Sequence, residues 1–299
     1  MTSERNTIKV TGKQAWMPLL LLLPAFLYYA VFWAWPVMSG VKESFTDNAG
    51  RFTLQNFKLM WESELFVQAL VYTGIFTVVS VAIELVLALG LAVLFNRNFK
   101  GVKLLMFIAM IPMAIPPTAV AILWKTGLMQ LGWVNTVLMG IGLIPEPVSY
   151  LSYAGLQALF MIIAIDAWTV TPSVMIILVA GLSGISKEYK EAAYTFGANR
   201  WTVLKDITLP ILKPSIVTAV ILRMIAAMQV WAVAVMVLGF SRTPFLVERV
   251  AFYVDVVSGR PEASRLAFTI SFTTTVLVFA VTMVYFKLSR RNAAERSLR

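Results

Sequence analysis

The sequence contains no cysteine and no histidine, and only 13% of its 299 residues are charged. Without cysteine, disulfides and thiolate metal sites are impossible. Without histidine, the commonest metal ligand and the commonest general base are both missing, so a His-based catalytic triad is excluded. A soluble domain is about 25% charged and about half apolar, whereas here 59% of residues are hydrophobic and the mean hydropathy is +0.80. Such a chain has too few charges to cover a water-facing surface. Soluble enzymes, nucleic-acid modules and disordered adaptors are excluded on that ground. Also missing is any Gly-x-x-x-x-Gly-Lys-Ser/Thr segment to cradle a nucleotide phosphate, and any ten-residue alternation of the kind a membrane barrel needs.

What the sequence has instead is apolar length. Six segments, about 17–38, 66–95, 102–124, 154–182, 214–239 and 264–288, are each long enough for about 20 residues of helix to cross a bilayer. Lipid admits helices or closed barrels, so an all-α bundle of six transmembrane helices follows, forming a single domain over 1–299. The first segment is too long for a signal peptide and no small-residue cleavage site follows Pro36, which makes it a retained span.

The net charge of +10 reads as orientation rather than as affinity for nucleic acid. Sixteen Lys and Arg fall in the N-terminus (Arg5, Lys9, Lys13), the 96–103 loop, the 183–213 loop and the C-terminus, where Arg290, Arg291, Arg296 and Arg299 join Lys287. Eight, including Lys42, Arg51, Arg242, Arg249, Arg260 and Arg265, fall on the other side. That asymmetry predicts both termini in the cytoplasm.

The loop at 185–212 does not read as a loop. Ser186 is a candidate N-cap, and Tyr189, Ala192, Ala193 and Phe196 repeat at helical spacing. Gly197 then reads as a stop, and a second helical stretch, 199–208, runs to Leu209-Pro210. A bent helix pair of this kind suits either a docking partner or the headgroup layer of the membrane.

The residues of this segment resemble a known family. Glu191-Ala192-Ala193, three residues, Gly197, nine residues, then Ile207-x-Leu209-Pro210 is similar to the EAA loop of ABC importer permeases. Trp168-x-x-Thr171-Pro172-Ser173, Ala180-Gly181-Leu182 and the 210–214 stretch Pro-Ile-Leu-Lys-Pro resemble the maltose-type carbohydrate branch, with similarity from about 15 to 290. Departures are Phe196 where that family commonly has Asp, Ser186 where it has Pro, and 239–245 (GFSRTPF) where it often shows Gly-Gly-Pro.

The resemblance implies a type I importer permease that binds no cofactor itself, with ATP and Mg on partner subunits. It implies a second permease, two cytoplasmic ATPase subunits, an extracytoplasmic solute-binding protein and surrounding lipid as partners, in a prokaryotic inner membrane. Glu191, Ala192, Ala193, Gly197, Leu209 and Pro210 would then form the ATPase-docking element, with Glu191 reaching a basic group. Substrate contacts transferred position by position are Met113, Pro117, Val170, Ser173 and Gln229, of which the first three lack hydrogen-bonding side chains. The partner permease is an alternative source of the contacts. The implied cargo is a sugar or sugar-like solute.

Three charges lie inside apolar spans, where each costs at least about 2.5 kcal/mol: Glu84, Asp166 and Arg223. An Asp166–Arg223 pair would neutralise two of them, or Asp166 would bind sugar hydroxyls; Glu84 reads as lying deeper toward the cytoplasm, satisfied by a partner or water. Hydroxyl stripes at Thr73, Thr77 and Ser80, at Thr169 and Ser173, and at Ser271, Thr275 and Thr282 serve either as helix glue or as a hydrated path. Gln229, Trp231, Trp168 and Ser173 suit a sugar chemically, through hydrogen bonds and ring stacking. Pro112, Pro116-Pro117 and Pro172 are hinges beside a cavity or plain kinks. Two other classes compete: an ion-coupled secondary transporter using Glu84 and Asp166 as titrating groups, and, more weakly, a membrane enzyme acting on lipid-linked sugars.

Overall fold

A computed structural model describes residues 16–97, 99–257 and 261–297. The N-terminal cations Arg5, Lys9 and Lys13, as well as Arg260 and Arg299, lie outside the described residues. Five helices among them are long and apolar enough to cross a membrane, and a bent pair supplies a sixth crossing. The chain is a multi-pass all-α membrane protein.

The first crossing joins α1 (Trp16–Tyr29) through a π-helical turn, Ala30–Ala34, to α2 (Trp35–Ser44). Its upstream part stands apart from the bundle, with Phe26, Phe32 and Trp35 at 65%, 69% and 73% exposure. Contact begins at α2, which packs on the last helix. Outside the crossings, Asp47 Oδ1 accepts backbone N–H groups from Arg51 and Ala49. Those bonds, with the Arg51 guanidinium, hold its carboxyl below the usual carboxylate range. The short α3 (Gln55–Glu62) then leads into α4 (Glu64–Phe95).

The buried residues of α4, Ala69, Thr73, Phe76, Thr77, Ser80, Glu84, Ala88 and Ala92, recur every three or four positions and so share one face. Because lipid is as apolar as leucine, helices in a membrane associate by close packing of small residues and by polar contacts, which is the composition of this face. It packs on α8 (Gly155–Ser183), the central partner of the bundle. The crossing predicted at 102–124 is two helices, α5 (Val102–Ala114) and α6 (Pro117–Gly127), bent by 93°. A residue before proline is driven out of the helical region, and here two such residues are adjacent. Ile115 (ψ 127°) precedes Pro116 (ψ 144°), which precedes Pro117. Pro172, by contrast, lies inside an unbroken α8.

After α7 (Trp133–Gly140) and α8 comes α9 (Lys187–Thr195). The predicted 214–239 crossing needs correction at both ends. Helix begins at α10 (Arg200–Thr202) and continues through a π-helical stretch, Val203–Thr208, into α11 (Leu209–Ala227), giving one crossing Arg200–Ala227. The wider turn has a cause in Pro210, which has no N–H and crowds the carbonyl four residues back; Leu209 N instead reaches Leu204 O. Helix then stops at 228–231, and α12 (Ala232–Leu238) restarts against α6. Short α13 (Leu246–Ala251) and long α14 (Pro261–Ser297) complete the chain. Close contact of α8 with α11 depends on Gly181, where a Cβ would stand 2.3 Å from Ser215 Oγ.

Candidate functional site

The α9 segment is built for a sharp, self-contained bend. Ser186 caps its start by accepting from Glu188 N at 3.3 Å. Its end closes with Ala198 N on Ala193 O (3.0 Å) and Gly197 N on Tyr194 O (3.0 Å), the paired bonds of a Schellman turn. That turn needs a left-handed residue, and Gly197 supplies it at φ +83°. Asn199 Oδ1 then accepts from Thr202 N at 2.9 Å and starts the next helix. With the polypeptide satisfied internally, side chains are left facing outward. Glu191, Ala192 and Gly197 are exposed, Ala193 is half-buried, and Phe196 at the bend is 91% exposed. Leu209 and Pro210 lie in the helix that follows rather than in the bent pair.

Inside the bundle all three intramembrane charges meet. Arg223 on α11 bonds Glu84 of α4 through both Nε and Nη2, the second at 3.0 Å, and bonds Asp166 of α8 through Nη2. Ser80 Oγ lies 2.9 Å from Asp166 Oδ2 and also contacts Glu84 Oε1. The expected Asp166–Arg223 pair is therefore present, and Glu84 is a third member rather than a separate group nearer one surface. Glu84 is fully enclosed, whereas the Asp166 side chain is 18% exposed.

That exposure opens on a cavity of about 130 Å³ lined by Pro117, Asp166, Thr169, Val170, Val230 and Val233, among others. Both helix breaks converge here: Pro117 begins α6, and Val230 lies in the interruption between α11 and α12. Broken helices around a cavity are tolerated at membrane depth because freed backbone groups face protein or water rather than lipid. The neighbouring side chain, Gln229, points elsewhere. It lines a groove of about 460 Å³ shared with Ser271, Thr274, Thr275 and Thr282 of α14, while its Nε2 donates to Ile225 O at 3.1 Å.

The remaining candidates are scattered. Met113 is exposed in the last turn of α5, and Trp168 stacks edge-on against Trp124 at 5.6 Å. Ser173 Oγ donates to its own helix at Val170 O, 2.8 Å away, and Trp231 is half-buried at the break. Of the hydroxyl stripes, that of α14 lines the groove. The α4 stripe does not face a path: Thr73, Thr77 and Ser80 are buried between helices, and Thr73 Oγ1 accepts from Leu246 N at 3.1 Å.

One buried charge cluster was not visible in the sequence. Glu248 and Arg249, counted as loop charges, are 1% and 2% exposed. Arg249 Nε donates to Glu248 Oε2 at 2.7 Å, and Arg249 Nη2 donates to Ser241 Oγ at 2.9 Å. Ser241 N in turn donates to Glu248 Oε1 at 2.8 Å. The pair fixes the 239–245 loop over α4, where Phe245 packs edge-on against Phe76 at 5.4 Å. The signal was concealed because neighbouring Glu and Arg in a polar stretch read as solvated.

Known proteins share this arrangement. Residues 84–293 match the family described as "Binding-protein-dependent transport system inner membrane component". The trehalose/maltose transport system permease protein MalF of Thermococcus litoralis is 31% identical over 95% of this chain and 97% of its own length. The lactose transport system permease protein LacF of Rhizobium radiobacter is 31% identical over 77% of this chain and 78% of its own. A bacterial ABC transporter involved in importing the acidic polysaccharide alginate has the same fold, with a TM-score of 0.81 at 23% identity over 93% of this chain and 96% of that one. The chain belongs to the binding-protein-dependent transport system inner membrane components.

Proposed function

We propose that this chain is one transmembrane subunit of an ATP-driven importer carrying a sugar or sugar-like solute into the cytoplasm, and that α9 is its coupling helix. The observation that carries the reading is the Schellman-closed bend at Gly197, which leaves Tyr189, Phe196 and Trp201 at 59%, 91% and 67% exposure with no partner surface on their own chain. A helix pair whose backbone is satisfied internally and whose aromatic side chains point outward fits a cleft on another protein. Similarity to permeases named for trehalose/maltose and lactose supports the sugar class.

In this reading ATP and Mg belong to two separate ATPase chains, a second permease completes the path, and a solute-binding protein delivers cargo from outside. Both termini face the cytoplasm, the side of α9. ATP-driven closure of the ATPases would draw the coupling helices together and tilt the permeases outward. Gln229 and the α14 hydroxyls offer hydrogen bonds along the groove, Asp166 offers a carboxylate at the convergence of helix breaks, and Met113, Pro117, Trp168, Val170, Ser173 and Trp231 surround that route. An ion-coupled carrier is disfavoured because Glu84 and Asp166, its titrating groups, are engaged by Arg223.

Two variants test the coupling role. Gly197→Val forces a β-branched residue into the left-handed region at a local cost of about 1–2 kcal/mol, and Glu191→Lys reverses the charge on the exposed face. Both are expected to insert normally yet lose most sugar uptake in vesicles supplied with binding protein and ATPase. Normal uptake with unchanged ATPase co-purification would refute the assignment. Gln229→Leu tests the groove: sub-saturating uptake should fall several-fold, with assembly and basal ATP hydrolysis unchanged.

A further inference from the structure

We propose that the pocket behind α9 holds the phosphate-bearing headgroup of an anionic phospholipid. This pocket, about 410 Å³, lies where the ends of α4 and α8 meet α9 and the start of the next crossing. Three cations line it from three separate elements: Arg97 just past α4, Lys190 on α9 and Arg200 at the head of α10. Asn96 and Tyr194 add polar groups. Among the described residues, none of the three cations has an ion-pair or hydrogen-bond partner. Three unpaired positive charges around one concavity call for an anion, and phosphate, with its several acceptor oxygens, satisfies more than one of them at once.

A lipid is favoured over a soluble anion by what continues from the pocket. On α4, Ile83, Val86, Gly90, Val93 and Arg97 follow at intervals of three and four, so they form one stripe. Ile83 and Val86 are 39% and 70% exposed, and a Cβ built on Gly90 would touch nothing within 4 Å. An open apolar track on a membrane-spanning helix therefore ends at the cationic pocket, a shape matched by an acyl chain beneath a charged headgroup. The position at the ends of two crossings is where headgroups lie, and basic pockets between helix ends are suited to anionic lipids.

The test uses the purified full chain and native mass spectrometry with an equimolar mixture of phosphatidylglycerol and phosphatidylcholine. Wild type should retain phosphatidylglycerol selectively. The triple variant Arg97→Gln, Lys190→Gln, Arg200→Gln should lose roughly a hundredfold in affinity for it, from the combined contribution of three cations near an anionic surface. The charge-matched control Lys100→Gln, Lys103→Gln, Lys205→Gln should retain it. Free glycerol phosphate or inorganic phosphate at the same concentration should fail to displace the lipid. Equal retention of both lipids, equal loss in the control, or displacement by the free phosphates would overturn the proposal. So would pocket cations crosslinking to an acidic segment of an ATPase chain in the assembled transporter while lipid retention stays unselective.

Discussion

Two buried charge clusters hold this molecule together, and they differ in how far apart in sequence their members lie. Glu84, Asp166 and Arg223 come from three crossings, with 139 and 57 positions separating Arg223 from its two acids. Glu248 and Arg249 are neighbours that close one loop. The first cluster sets which helices touch; the second sets the shape of a segment laid over them. They differ in stoichiometry also. Two carboxylates share one guanidinium and the Ser80 hydroxyl in the membrane, whereas the loop pair is one to one and adds Ser241 as a third member. Finally, the membrane cluster has one face on a cavity through Asp166, and the loop pair is closed on all sides.

The largest effect should come from removing the shared cation. Arg223→Met leaves two carboxylates enclosed without a counter-charge, and breaking a buried pair in this way costs about 3–5 kcal/mol. Purified yield and thermal melting should both fall sharply. Adding Glu84→Gln to that variant should restore part of the loss, because the fully enclosed carboxylate is then neutral. A double variant no more stable than the summed single variants would show that the contacts seen here do not hold the helices.

A smaller and more local loss is expected for Arg249→Met. Glu248 keeps the Ser241 N–H, so the cost should approach that of one charged hydrogen bond, about 1.5–3 kcal/mol. Hydrogen exchange should quicken in 239–251 and leave α4, α8 and α11 protected. Loss of protection throughout the bundle would mean that the loop pair supports the whole fold, and the contrast between the two clusters would fail.

The same contrast explains what was legible beforehand. A charge inside an apolar run is conspicuous because lipid penalises it, so Glu84, Asp166 and Arg223 were singled out, and the Asp166–Arg223 pair followed from their similar depth. Glu84 was misplaced because depth counted along one helix says little about how that helix is set against its neighbours. It lies eleven residues before the end of α4, roughly 17 Å at 1.5 Å per residue, near mid-membrane. The Glu248–Arg249 pair left no trace, since adjacency removes the very spacing that marks a buried face. Breaks follow a similar rule. The bend at Ile115 was announced by two prolines, whereas the interruption at 228–231 contains neither Pro nor Gly and arises from packing of α12 on α6. Gly197 was readable because only a residue without Cβ suits a left-handed helix stop.

The smallest stability effect, and the most informative about transport, belongs to Asp166→Asn. Asp166 contributes one oxygen to Arg223, while Glu84 contributes two, so neutralising Asp166 leaves a complete one-to-one pair behind. Asparagine keeps an acceptor in place, and the loss of stability should be about 1 kcal/mol or less. If the carboxylate facing the cavity also binds a sugar hydroxyl, the effect on function is much larger than that. A buried hydrogen bond to a charged group contributes about 1.5–3 kcal/mol, which lowers sub-saturating uptake by roughly tenfold to a hundredfold. Basal ATP hydrolysis by the assembled transporter should be unchanged, because neither α9 nor its bend is altered. Melting temperature, uptake and basal hydrolysis measured on the same preparation separate the possibilities. A drop in melting temperature as large as that of Glu84→Gln, with uptake falling only in proportion to folded protein, would make Asp166 a third structural tie. The membrane cluster would then differ from the loop pair in span alone, and the sugar contacts would move to the Gln229 groove.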